Sequence, residues 1–326
     1  MSEAPDFHEL SPDLVLNLVE EALDQRCTNI CRPLTSYINR VYEVEADDGR
    51  HVVIKFYRPG RWSLEALQDE HDFVLDLAEN EVPVVPPLRD SEGATLHLHG
   101  DLHFALFDRK GGRTFEDPDT ELWMELGRLL ARMHTIGGQV EPRDRVIWSP
   151  EEATAGHVES ILSSGQITDP RLRDQYERIT GELIDTLAPA FKDRDRVRIH
   201  GDCHASNIIY RPGERFFLID FDDMAVGPPI QDLWMLLPGY RADVQQELDW
   251  FLDGYENFRT FDYPSLKLIE PLRAMRFIHF CAWCVHQIND GGYKRLDPDF
   301  GTDAYWNREI RDLESQLERI RIELAG

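Results

Sequence analysis

Apolar residues first recur at helical spacing in residues 10–23. Leu14, Val15, Leu18, Val19 and Ala22 form one stripe behind Ser11, an N-cap, and Pro12, at the first helical position. The period then shortens to two. "YINRVYEVEA" and "HVVIKFYRP" are rich in β-formers and meet at Asp47-Asp48-Gly49, which predicts a hairpin. Helical spacing returns over 63–79 with Ser63 as N-cap. The stretch "ATLHLHGDLHFALFD" then predicts a second hairpin turning at Gly100-Asp101. Beyond residue 118 the period is mostly helical, over 120–136, 151–163, 170–191, 230–257, 265–289 and 303–323. A strand-rich island interrupts it at 196–221.

This order predicts an α+β chain with a strand-rich N-terminal lobe at 1–107 and a larger, mainly helical C-terminal lobe at 119–326. Between them, "DRKGGRTFEDP" (108–118) is glycine-rich and charged, as a connector is. No internal repeat is visible.

Composition narrows the function. Hydrophobic residues make up 42%, enough for a substantial core, and the net charge is -26. So acidic a surface repels phosphate backbones and anionic lipid, which argues against nucleic-acid and membrane partners. The N-terminal "MSEAPDFHEL" lacks the apolar run of a signal peptide, and "FIHFCAWCV" (277–285) is too short to span a bilayer. Five scattered cysteines fit a reducing compartment, so a cytoplasmic protein is expected. Cys281 and Cys284 read as core residues of a helix, although their spacing also occurs in redox and zinc sites. His97, His99 and His103 read as solvent-facing strand residues.

The triplet His-Gly-Asp occurs twice. At 99–101 it is the predicted turn. At 200–202 it opens "HGDCHASNIIYR", where Asn207 follows Asp202 by five positions. Two strands, "NIIYR" and "RFFLIDF", join at Pro212-Gly213-Glu214. The hairpin brings Asn207 near Asp220, with Asp202 close by. An amide oxygen and a carboxylate suit a hard cation such as Mg²⁺, whose other ligands are water and phosphate oxygens. A second carboxylate beside the metal can orient a hydroxyl for attack, the division of labour in phosphoryl transfer. Upstream, Lys55 lies in the apolar strand "HVVIKFY", and Glu70 lies on the apolar stripe of helix 63–79. A carboxylate there needs a cation, and Lys55 is the candidate.

"HGDCHASN" and "LIDFDD" resemble the signatures of the aminoglycoside phosphotransferase and choline kinase superfamily. "PLTSYINRVYEVE", "VVIKFYRPGRW", "EHDFVLDL", "VPVVPP", "GPPIQDLWMLL" and "IEPLRAMRF" extend the resemblance over essentially the whole chain, to the bacterial stress response kinase A family. The resemblance implies a two-lobed protein-kinase-like fold, with ATP as co-substrate and Mg²⁺ as cofactor. It implies that Asp202 accepts the hydroxyl proton and that Asn207 and Asp220 ligate the metal. Lys55 and Glu70 would position phosphates. Ser36, in the turn where other kinases carry a glycine-rich loop, would touch ATP. Residues Phe104–Phe107, Phe107 among them, would meet adenine, and Asp232 would brace the catalytic loop.

Two departures stand out. No G-x-G-x-x-G is present, and Gly201 replaces the Arg of the kinase H-R-D triplet. That Arg commonly senses an activation-loop phosphate. Here "FDDMAVGPPIQD" (221–232) has no Ser, Thr or Tyr, so activity without prior phosphorylation is expected. Asp222 and Asp223 follow Asp220 so closely that an extra metal ligand or two solvated carboxylates both fit. The expected protein is a monomeric Ser/Thr protein kinase of the bacterial stress response. The alternatives are a small-molecule kinase for an aminoglycoside, choline or homoserine-like alcohol, and a non-catalytic pseudokinase.

Overall fold

The structure, a computed structural model, describes residues 7, 10–114, 118–288 and 297–325. Helix α1 (Pro12–Leu23) starts where Ser11 accepts a hydrogen bond from the Leu14 amide at 3.2 Å. Strands β1 (Cys27–Leu34), β2 (Arg40–Ala46) and β3 (His51–Phe56) follow, then α2 (Leu64–Glu79), β4 (His97–His99), β5 (Leu102–Asp108) and α3 (Thr120–Gly137). A π-helical turn at Pro150–Thr154 leads into α4 (Ala155–Ser163), and α5 is Pro170–Phe191. Short strands β6 (Val197–Ile199), β7 (Ile208–Arg211), β8 (Arg215–Leu218) and β9 (Ala225–Gly227) make up the island. Helices α6 (Ile230–Trp234), α7 (Gln245–Tyr255), α8 (Ile269–His286) and α9 (Asp303–Ala325) close the chain. Among the described residues no helix is long and apolar enough to cross a membrane.

The chain forms two compact units. The first comprises Met1–Arg145, Asp202–Met224 and Trp250–Arg259. Its antiparallel sheet has the order β1-β2-β3-β5-β4. The two-residue period of β3 and β5 divides their side chains between two faces. Val52, Ile54, Phe56, Phe104 and Leu106 pack with Val15, Leu18 and Val19 of α1, each fully buried side chain contributing about 1.5–3 kcal/mol. Lys55, Ala105 and Phe107 point the other way, where Tyr57, just after β3, and Leu67 of α2 gather. The β7–β8 hairpin belongs to this unit too. It turns at Gly213 with φ +89°, and the Leu218 amide donates to the Pro83 carbonyl at 2.9 Å.

The second unit comprises Val146–Gly201, Ala225–Asp249 and Thr260–Gly326. It is helical, with β6 paired antiparallel to β9.

Three expectations need correction. The helix expected over 230–257 is not continuous. α6 ends at Trp234, four residues before Pro238, whose ring has no N–H and would strike the carbonyl one turn back. The run at 265–289 begins as a 3₁₀ turn (Tyr263–Leu268) before α8, and its last position lies outside the described residues. His97 does not face solvent. Its ring stacks on Phe104 at 5.1 Å, 3.8 Å from Asp90. Cys281 and Cys284 are buried in α8, and the Cys281 sulfur lies 3.2 Å from the Tyr305 hydroxyl.

In the first unit, α3 meets the Trp250–Tyr255 end of α7 through two glycines. A Cβ on Gly127 would lie 2.0 Å from the Phe251 carbonyl oxygen, and one on Gly254 would lie 1.9 Å from that of Met124. Backbone cannot yield as a flexible side chain does. Gly127→Ala is therefore expected to lower unfolding free energy by about 1–3 kcal/mol or more, measured by urea denaturation. Unchanged stability would mean that the two helices are not in backbone contact.

Candidate active site

The register of the β7–β8 hairpin, Ile208 opposite Leu218, sets Asn207 and Asp220 at its open end. The Ile219 amide closes that end by donating to the Asn207 carbonyl at 3.0 Å. Asn207 ends a 3₁₀ turn at Ala205–Asn207, and its side-chain amide donates to the Asp202 carbonyl at 2.9 Å. That bond spends the amide's donor side and leaves its oxygen facing elsewhere. Asp220 has φ +61°, a left-handed conformation that disfavours a side-chain-bearing residue by about 1–2 kcal/mol. The neighbouring ladder holds it there, and its carboxylate is half exposed.

The Asp202 carboxylate lies 3.4 Å from Nε2 of His204. Nδ1 of His204 accepts from the Ser206 amide at 3.2 Å, which puts the ring proton on Nε2, facing Asp202. In the second unit, fully buried Asp232 accepts from the amides of His200 (2.8 Å) and Gly201 (2.9 Å). It fixes the two residues that precede Asp202, and Gly201 itself has φ +83°.

Lys55 is buried, and its ammonium touches three carboxylates: Asp220 at 3.1 Å, Asp222 at 3.2 Å and Glu70 at 3.5 Å. The Lys55–Glu70 pairing read from the sequence is thus present, but it is the longest of the three. Glu70 makes a shorter bond, 3.0 Å, to Arg145, whose side chain has no exposed surface. Arg145 also donates to the carbonyls of Ala66 and Asp222, both at 2.8 Å, tying α2 to the segment after β8. Arg61 spans Asp222 and Asp223 with its two terminal nitrogens. Asp222 is buried, and Asp223, 19% exposed, is ion-paired with Arg61.

Burial opposes every charge in this cluster, and attraction decides the outcome. Burial pulls Lys55 down, but Asp220, Asp222 and Glu70 hold its ammonium well above the ordinary range. Burial pushes Asp222 up, yet Arg61, Lys55 and Arg145 hold its carboxyl well below the usual range. For Glu70 burial prevails over the two cations and raises the carboxyl.

Three cations (Lys55, Arg61, Arg145) face four carboxylates (Glu70, Asp220, Asp222, Asp223), so the cluster is one positive charge short. The carboxylate with most exposure is Asp220, at 53%. Among the described residues no three His, Cys, Asp or Glu side chains form a cage for a cation. A divalent ion held by Asn207 and Asp220 would thus draw its other ligands from water or phosphate. That donor set fits Mg²⁺.

Ser36 is half-buried in the turn between β1 and β2. That turn is anchored through Asn39, whose side-chain oxygen accepts from the Arg58 amide at 3.1 Å. Of Phe104–Phe107, the first three residues are buried. Phe107 keeps partial exposure and lies on the Lys55 face of the sheet.

Sequence reasoning missed Arg61, Arg145 and His204 as parts of the site. Arg61 stands in "VVIKFYRPGRW" and His204 in "HGDCHASN", but no period or spacing marks either one.

Next to Glu70, His71 is buried between the Tyr57 hydroxyl and Thr95, each 2.8 Å away. Burial, with help from Lys55, Arg145 and His97, pushes its imidazole down to about 3. The folded state keeps it neutral while the unfolded chain protonates it below about pH 6.5, so its contribution is full above that pH and drains toward pH 3. Between pH 7 and pH 5 the wild type is expected to lose about 2 kcal/mol more unfolding free energy than His71→Gln, by urea titration. Equal losses would show that His71 titrates freely.

Comparison with known proteins agrees with this geometry. The profile of the phosphotransferase enzyme family (APH) matches residues 30–269. Stress response kinase A of Escherichia coli O157:H7 is 37% identical over 320 residues, covering 93% of this chain and 91% of that protein. The serine/threonine protein kinase RdoA of Salmonella typhimurium (strain LT2) is 35% identical over 311 residues, with the same coverage. Among solved structures, the amicoumacin kinase hAmiN, in complex with AMP-PNP, Ca²⁺ and Ami, shares the fold. Its TM-score is 0.74 at 19% identity, over 94% of each chain. Sequence, fold and the hairpin that joins Asn207 to Asp220 agree: this chain belongs to the phosphotransferase enzyme family and, within it, to the stress response kinase A family.

Proposed function

We propose that the protein transfers the γ-phosphate of Mg²⁺-ATP to Ser or Thr hydroxyls of protein, as a monomeric cytoplasmic kinase. The observation that carries this reading is the convergence of Lys55 on Asp220, at the end of a hairpin whose other strand starts beside Asn207. Lys55 contacts the α/β-phosphates, and Ser36 and Phe107 line the nucleotide's path. Asn207 and Asp220 hold Mg²⁺, which when bound neutralises phosphate charge. Asp202 orients the acceptor hydroxyl and takes its proton. The new bond joins that oxygen to the γ-phosphorus, and the bond to the β–γ bridging oxygen breaks. The products are a phosphoester and ADP. His204 and Asn207 hold Asp202 in place for this step.

The relatives named as stress response and serine/threonine kinases support a protein acceptor. A small cationic alcohol is the second reading, supported by the fold shared with the amicoumacin kinase and by the net charge of -26. Transfer assays with a generic protein and a panel of amino alcohols separate the two.

Asp202→Asn keeps the side chain's shape but removes the proton acceptor. Steady-state assays are expected to show kcat down by about 10²–10⁴ with KM for ATP little changed. Activity within a few-fold of wild type would remove Asp202 from the role. Asp220→Ala is expected to abolish the tightening of ATP binding by Mg²⁺, measured by calorimetry with and without the ion. A persisting Mg²⁺ effect would place the metal elsewhere.

A further inference from the structure

Each carboxylate around Lys55, apart from Asp220, has an arginine of its own. Glu70 is bound by Arg145 at 3.0 Å, closer than Lys55 at 3.5 Å. Asp222 is bound by Arg61, with Lys55 at 3.2 Å. Glu70 is 3% exposed and Asp222 is 5% exposed. A carboxylate buried so deeply does not release its last cation, because an uncompensated buried charge is strongly unfavourable. Lys55 must nevertheless release carboxylates if it is to reach a phosphate.

We propose that Arg61 and Arg145 are positioning residues that make Lys55 exchangeable. Arg61 holds Oδ2 of Asp222 and Arg145 holds Oε2 of Glu70, so the lysine, which faces the other oxygen of each, can turn to nucleotide phosphate without leaving either carboxylate without a cation. The proposal rests on the nucleotide-site reading above and goes beyond it. It assigns Asp222 to the arginine rather than to the metal.

The side chains make the division of labour specific. Arg61 presents a planar fork, one arm on Asp222 and the other on Asp223. A lysine there has one ammonium and cannot span both. The fork is itself fixed by packing, its guanidinium carbon 5.3 Å from the Trp62 ring, and the same ring lies 4.4 Å from Arg145. Arg145 holds the main chain at Asp222 and Met224 as well as Glu70, so one side chain fixes both the carboxylate that Lys55 must leave and the segment that follows Asp220. The residues that follow Asp220, 221–232, contain no Ser, Thr or Tyr, so this clamp is set without phosphorylation of that segment.

Without Arg61, Lys55 becomes the remaining ion-pair partner of Asp222 among the described side chains, and it is trapped there. Without Asp222 as well, the trap disappears. Calorimetric binding of Mg²⁺-ADP to the full chain tests this in wild type, Arg61→Gln, Asp222→Asn and the double variant, with thermal melting to confirm folding.

Arg61→Gln is expected to weaken binding by about tenfold or more, and the double variant to recover to within about threefold of wild type. Asp222→Asn is expected to bind no more weakly than wild type and to keep its Mg²⁺ dependence. Wild-type affinity in Arg61→Gln overturns the proposal. So does a double variant as weak as the single one, or loss of Mg²⁺ dependence in Asp222→Asn, which would make Asp222 a metal ligand. If Arg61→Gln does not fold, Asp222→Asn and the double variant still decide, since both lack the stranded charge and both must bind as stated. Failure of the wild type to bind Mg²⁺-ADP overturns the nucleotide site and the proposal with it. A wrong pattern in the variants alone overturns only the proposal.

Discussion

A buried ammonium must be balanced, and the first compact unit is organised around that requirement. Lys55 projects from β3 onto the face of the sheet opposite the α1 core, where water cannot solvate it. Its balance comes from two elements: Glu70 from α2, and Asp220 and Asp222 from the segment after β8. Residues far apart in sequence are thus held together by one charge. These shared charges couple the sheet, α2 and the hairpin segment.

That coupling explains why the cluster holds more charge than a lysine–glutamate pair needs. Two carboxylates near one lysine would immobilise it, and two arginines restore its freedom. The one charge left uncompensated belongs with Asp220, the most exposed carboxylate of the set. A site built in this way attracts a cation where it opens and is neutral where it is buried.

Much of this was legible in the sequence, for physical reasons. Period-two strands, period-3.6 helices and capping serines located α1, α2 and the hairpins, because burial on one face writes a period into the chain. The hairpin signal around Pro212-Gly213-Glu214 brought Asn207 toward Asp220 correctly. The helix break at Pro238 was overlooked because the apolar pattern runs on through it. Arg61 and Arg145 were invisible for another reason. A buried arginine pairs with residues distant in sequence and leaves no local period, and its burial follows only from the tertiary fold. His97 was misread because strand alternation shows which residues share a face but not which face is covered.

Transfer of label from γ-phosphate-labelled ATP is the most direct measurement of the central claim. Wild-type protein, supplied with Mg²⁺, a generic protein and a panel of small alcohols, is predicted to deposit label on Ser and Thr of the protein, located by mass spectrometry. It should do so from the first seconds and without prior phosphorylation. Label confined to the small alcohols, or ATP bound with no label transferred to any acceptor, would contradict the account.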